Sequence, residues 1–195
     1  MKHTILTAAL CAATALTAAG PALAQFQERT FRVSNGINED HPVNTGMQAM
    51  QACLDEKTGG KMKMQGFWGG ALGGDLQATQ ALRSGLQEAV VTSSSPLVGM
   101  VPALGVFDLP FLFRTPEEAY AIMDGEFGDM LNQKLDEVGL VNLAYWENGF
   151  RNMSNSQRPI TQWEDFEGMK VRVMQNNIFL DTFSNFGAND WLIEE

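Results

Sequence analysis

Two arginines, Arg151 and Arg172, stand within WENGFRNMSNSQRPITQWEDFEGMKVRVM, residues 146–174. A guanidinium is always charged, and its planar fork of donors matches the two oxygens of a carboxylate. Arg172 lies in Met169-Lys-Val-Arg-Val-Met174. That alternation reads as a strand with Val171 and Val173 on one face and Lys170 and Arg172 on the other. Between the arginines, Asn155, Ser156, Pro159 and Gly168 signal turns, and Trp163 is the expected anchor of the segment. On spacing alone, a strand arginine is more often a surface charge or an ion-pair partner than a ligand contact. The wider pattern has to decide.

Other chemistries have little to work with. Past an apolar leader the chain keeps one histidine, His41, and one cysteine, Cys53. A histidine-built metal site and a histidine-dependent triad are therefore excluded, and no catalytic residue, metal or cofactor is assigned. Cys53 cannot form an internal disulfide and reads as a small core residue of a helix. There is no GxSxG and no HExxH, which argues against an exported hydrolase. The glycine-rich run Gly69-Gly-Ala-Leu-Gly-Gly-Asp75 precedes a helix, but it lacks both GxGxxG and a Walker lysine, so it is no nucleotide site. With 13 Lys+Arg against 23 Asp+Glu, the chain carries a formal net charge of −10. That excludes nucleic acid as a partner and means that a small anion must be drawn by a local arginine cluster.

The elements that would position such a cluster can be read in order. Residues 1–24 form an expected signal peptide: a polar start, an apolar run from Ile5 to Ala19, and Ala22-Leu-Ala24 as the cleavage site. The run falls short of the ~20 apolar residues of a spanning helix, so export to the periplasm is expected. Strands are expected at 30–35, 61–67 and 88–94, with helices at 43–58, where Met47, Met50 and Leu54 recur at helical spacing, and at 76–84 behind Asp75 as N-cap. This β-α-β-α-β order describes a largely parallel sheet covered by helices. Open sheets of this kind bind ligands beyond the carboxyl ends of their strands. Ser93, Ser94 and Ser95 would occupy that end of the third strand and Asn38 the loop after the first, although the serines serve equally well to cap the helix expected at Pro96.

Phe107-Asp-Leu-Pro-Phe-Leu-Phe113 is dense enough to be core. Thr115-Pro-Glu-Glu118 is a capping box that starts a helix, a second helix covers 126–137, and 140–145 reads as a further strand. After Arg172, residues 177–186 form an amphipathic helix that stops at Gly187.

Asn148-Gly-Phe-Arg151, Ser154-Asn-Ser-Gln-Arg-Pro-Ile160 and Asp165-Phe-Glu-Gly-Met-Lys-Val-Arg-Val173 together resemble the solute-binding subunits of TRAP transporters, the DctP family. Ala71-Leu-Gly-Gly-Asp75 and Gly85-Leu-Gln-Glu-Ala-Val-Val91 resemble a second family segment. The resemblance implies an α/β fold of the two-lobed, type II-like periplasmic binding protein kind. Its expected layout is a first lobe at 25–148, a hinge around Glu147–Gly149 and an incomplete second lobe at 149–195. It also implies that Arg172 is the main clamp on a substrate carboxylate, with Arg151 a second charge and Gln175 a polar contact. The partners implied are a small organic acid and the membrane permease subunits. A sensing module that signals to a receptor kinase would look the same.

Members that bind sialic acid carry charges around the serine positions, which this chain lacks. Relatives of this kind run roughly half as long again. The expectation is therefore that the 195-residue chain alone does not serve as a transport receptor, with Phe179, Phe183, Phe186, Trp191 and Leu192 short of partners.

Overall fold

The structure, a computed structural model, describes residues 26–192; the expected leader lies outside the described residues, as do the side chains of Asp190, Trp191 and Leu192. The sheet order follows the expected β-α-β-α-β path. Strand β1 (Arg29–Ser34) lies at the centre of a parallel sheet between β2 (Met62–Phe67) and β3 (Ala89–Val90). The register runs from Arg29 opposite Met62 to Ser34 opposite Phe67, with Val33 opposite Ala89. Parallel neighbours require crossover elements, and α1 (Pro42–Thr58) and α2 (Asp75–Arg83) supply them.

Helix α1 is set at both ends by its sequence. Nδ1 of His41 accepts the Val43 N–H at 3.2 Å, and Gly59, at φ +62°, closes the last turn by donating to the Asp55 carbonyl. Met47 is its buried anchor, with Asn44 and Thr58 buried on the same face. Cys53 lies on the far side of the helix and is exposed, which corrects its expected core position: six residues past Met47 is more than half a turn round.

Strand β3 is shorter than expected. After Val91 donates to Ser34 there is no more of β1 to pair with, because β1 ends at Ser34. The expected strand at 140–145 does not form either. Among the described residues no strand lies beside it, and Val141 and Leu143 are exposed. A strand exists only where a neighbour takes its backbone hydrogen bonds.

Helices α3 (Pro116–Met123) and α4 (Glu126–Glu137) occur where the capping box and the periodicity put them, with the Thr115 hydroxyl accepting the Glu118 N–H. Leu131 and Leu135 of α4 pack with Leu97, Val101, Leu104 and Leu140 into the larger core. The segment 107–113 is only partly core. Phe107 stacks on Phe113 and meets Phe127 edge-on, but Phe111 is 93% exposed at φ +60°, and Leu109 and Leu112 are exposed beside it.

A second, two-stranded parallel sheet pairs β4 (Lys170–Val173) with β5 (Asn189–Leu192) around α5 (Asn177–Asn185). Met169, Val171, Val173, Phe179 and Ala188 form its core. Two expectations change here. Phe183 and Phe186 do find a partner, since both rings pack on Phe166 at 5.5 and 5.7 Å. Trp163, expected to anchor the segment, is exposed, and Phe166 does the anchoring in its place.

Candidate binding crevice

Strand β4 divides its residues by alternation: Val171 and Val173 are buried, whereas Lys170 and Arg172 face outward. Arg172, Val173, Met174 and Gln175 then line one wall of a crevice whose opposite wall is Asp75, Gln77 and Pro96. Two of the expected site residues, Arg172 and Gln175, thus come together at the carboxyl end of a parallel strand. They face the first turn of α2.

Arg151 reaches the same end from the long segment before β4. Its guanidinium carbon stands 4.7 Å from the centre of the Phe179 ring, and one nitrogen touches the Met174 sulfur. Arg151 thus touches one residue of the crevice lining, Met174, without lining the crevice itself.

The serines divide. Ser93 stands beside the crevice: its N–H donates to the Asp75 carboxylate at 3.0 Å, and its hydroxyl accepts from the Asn148 amide at 3.2 Å. Ser94 instead opens the 3-10 turn Ser95–Leu97, through its carbonyl and not its side chain. Asn38 is exposed in the loop after β1, where its carbonyl accepts from His41 and Asn44. It is not among the residues that line the crevice.

Asp75 was misread, and Asp108 and its partner Asn176 were missed. Asp75 is not the N-cap of α2; Gly74 is, and Asp75, as the first helical residue, turns its carboxylate to the Ser93 N–H. Asp108 is buried and accepts the Ser95 hydroxyl on one oxygen and the Asn176 amide on the other, both at 2.6 Å. Burial pushes the Asp108 carboxyl up from its ordinary range, opposed by the Ser95 hydroxyl, the positive charge of Arg151 and the Asn176 amide. No sequence signal marked these contacts, since their partners are far apart along the chain. Among the described residues no cluster of His, Cys, Asp and Glu is placed to hold a metal ion.

A parallel α/β unit followed by a second, smaller α/β unit is the architecture that this chain shares with two-lobed periplasmic solute-binding proteins. The chain belongs to the DctP family, bacterial extracellular solute-binding protein family 7, whose model matches residues 33–191. A solute-binding protein from Verminephrobacter eiseniae is 33% identical over 160 residues, 82% of this chain and 48% of that one. Among solved structures, a TRAP periplasmic solute-binding protein from a Sulfitobacter species with bound β-D-galacturonate is 40% identical with a TM-score of 0.82, over 85% of this chain and 55% of that one. The sugar acid binding protein DctPAm from Advenella mimigardefordensis, in complex with galactonate, is 39% identical with a TM-score of 0.84, over 86% of this chain and 54% of that one. The chain spans about half the length of the relatives it matches. No described helix is long and apolar enough to cross a membrane.

Proposed function

We propose that this chain captures a small organic acid for a TRAP-type transporter, Arg172 holding the carboxylate through both guanidinium donors. The observation that carries this reading is the meeting of Arg172 and Gln175 with Asp75 across one crevice, with Arg151 in contact with Met174. One arginine about 4 Å from a carboxylate contributes up to ~4 kcal/mol at an effective dielectric near 20, before desolvation. Two such charges with polar support bring micromolar binding, ~8 kcal/mol, within reach. The bulk negative charge does not forbid it.

Relatives with galacturonate and galactonate bound make polyhydroxy acids the first candidates. Asp75, Gln77, Gln175 and Ser93 provide the hydrogen-bonding groups that a sugar acid needs beyond its carboxylate. The lobes at 25–148 and 149–195 would close on the ligand about Glu147–Gly149, and the loaded protein would dock on the permease. Gly149 at φ +85° supports that pivot. Cleavage after Ala24 would release the protein into the periplasm; mass spectrometry of exported protein still carrying residues 1–24 would contradict it.

A second reading is that the chain alone holds no ligand. The exposed apolar side chains Leu109, Phe111, Leu112, Val141 and Leu143 favour it, because such surface ordinarily meets a partner. One thermal-shift screen against D-galacturonate, D-galactonate and succinate separates the two. A cooperative melt that rises with an acid supports capture, and a melt unmoved by all three supports the second reading.

A further inference from the structure

Asn176 immediately follows Gln175, and Ser95 immediately precedes Pro96, so each is the chain neighbour of a residue on one of the crevice's opposed walls. Both are bound to the same carboxylate. Asp108 accepts the Ser95 hydroxyl and the Asn176 amide at 2.6 Å each, and the Asn176 amide also reaches the Ser95 carbonyl at 3.3 Å. All three residues are buried, with Asn176 4% exposed and Ser95 2%. The amide cannot turn over freely, because its oxygen accepts the Ile178 N–H at 2.7 Å as the cap of α5. Its nitrogen is therefore committed to Asp108.

A second contact tightens the same joint. Gly105, in the 3-10 segment Pro102–Asp108 that carries Asp108, lies against Ile178: a Cβ there would stand 2.5 Å from the Ile178 Cδ1. Helix α5 thus sits so close to that segment that a methyl group at position 105 would have to displace the end of Ile178.

We propose that the buried Ser95–Asp108–Asn176 network is a joint that fixes the spacing of the crevice walls, making Asp108 and Asn176 positioning residues for the Arg172 clamp. Its ligand arm rests on the acid-binding reading above; its geometry does not. In a low-dielectric interior a satisfied polar network specifies one arrangement, whereas a broken one leaves a costly unpaired group. An apolar contact of the same size would permit sliding. This one does not.

The test exchanges the two end groups. Asn176→Asp keeps an oxygen to cap α5, since aspartate is a good N-cap, but sets carboxylate against carboxylate. Adding Asp108→Asn restores a donor–acceptor pair with the direction reversed, the new amide donating to position 176 and its oxygen accepting the Ser95 hydroxyl. The full chain, with Cys11 and Cys53 changed to serine, carries spin labels at Gln80→Cys and Asp181→Cys, both exposed and on α2 and α5. Double electron–electron resonance then reads the separation of the walls.

The parent is expected to give one narrow distance distribution, Asn176→Asp a broadened or shifted one, and the double variant the parent's again. In parallel, D-galacturonate affinity should fall about tenfold in Asn176→Asp, as losing one charge-assisted buried contact implies, and return in the double variant. An Asn176→Asp distribution as narrow as the parent's overturns the joint. So does a double variant that stays as broad, or as unfolded, as the single one. A distribution that widens while affinity is unchanged overturns the positioning role. If the parent binds no acid, the functional reading fails, and the distances alone decide the joint.

Discussion

The guanidinium of Arg151 lies over the face of Phe179, 4.7 Å from the ring centre, and this joins the exposed arginine segment to the buried core of the second sheet. The negative face of the ring attracts the cation and limits where it can go. Phe179→Leu keeps the core apolar but removes that attraction, worth about 0.5–1 kcal/mol at a partly exposed site. Binding of the acid should weaken by a few-fold, with the melting temperature little changed. Arg151→Ala should weaken it further, yet less than Arg172→Ala, because Arg172 lines the crevice and Arg151 does not. Calorimetric titration of the three variants checks the order.

Gly128 is required by packing. A Cβ there would lie 1.8 Å from the Met123 carbonyl oxygen, which ends α3 just before α4 begins. Backbone cannot move aside as a side-chain tip can, so Gly128→Ala should destabilise by about 3 kcal/mol, the upper end of overpacking costs. Gly105→Ala meets only the end of Ile178 and should cost about 1 kcal/mol, largely recovered by adding Ile178→Val. Urea denaturation of the four proteins measures both.

Arg32 donates to both oxygens of Glu88, from its side chain and its backbone, and holds that carboxyl well down from its ordinary range, at about 2. A folded-state pKa below the unfolded one gives stability that is present above the unfolded value and is lost as pH falls through the folded value. Glu88→Gln should therefore be less stable than the parent at neutral pH, with the gap closing from about pH 4.5 down to about 2. Both groups are solvent-accessible, so added salt should narrow the neutral-pH gap. Thermal melts across pH provide the comparison.

The sequence carried most of what local rules can carry. The alternation of Lys170–Val173 put Arg172 outward, and the Thr115 box and the Gly59 stop set helix ends, because each depends on residues within a few positions. Long-range pairing was hidden. Residues 140–145 have a strand's composition but no neighbour to pair with among the described residues. Asp108 and Asn176 are 68 residues apart, and neither looks special in its own segment. Asp75 was legible as a helix-start residue, but not as a group aimed at Ser93 on the crevice side. The family resemblance singled out Arg151, Arg172 and Gln175; folding alone could show that Asn38 stands outside the crevice that Arg172 and Gln175 line.

The measurement that bears most directly on the account is titration calorimetry of D-galacturonate, D-galactonate and succinate into the wild-type chain and Arg172→Lys. Lysine keeps the charge and loses the planar two-point contact. The wild type is expected to bind at least one of these acids and Arg172→Lys to bind it at least about tenfold more weakly, the ~1.4 kcal/mol or more expected of a bidentate charged pair. An Arg172→Lys affinity within a few-fold of wild type, or a wild-type chain that binds none of the three, would contradict it.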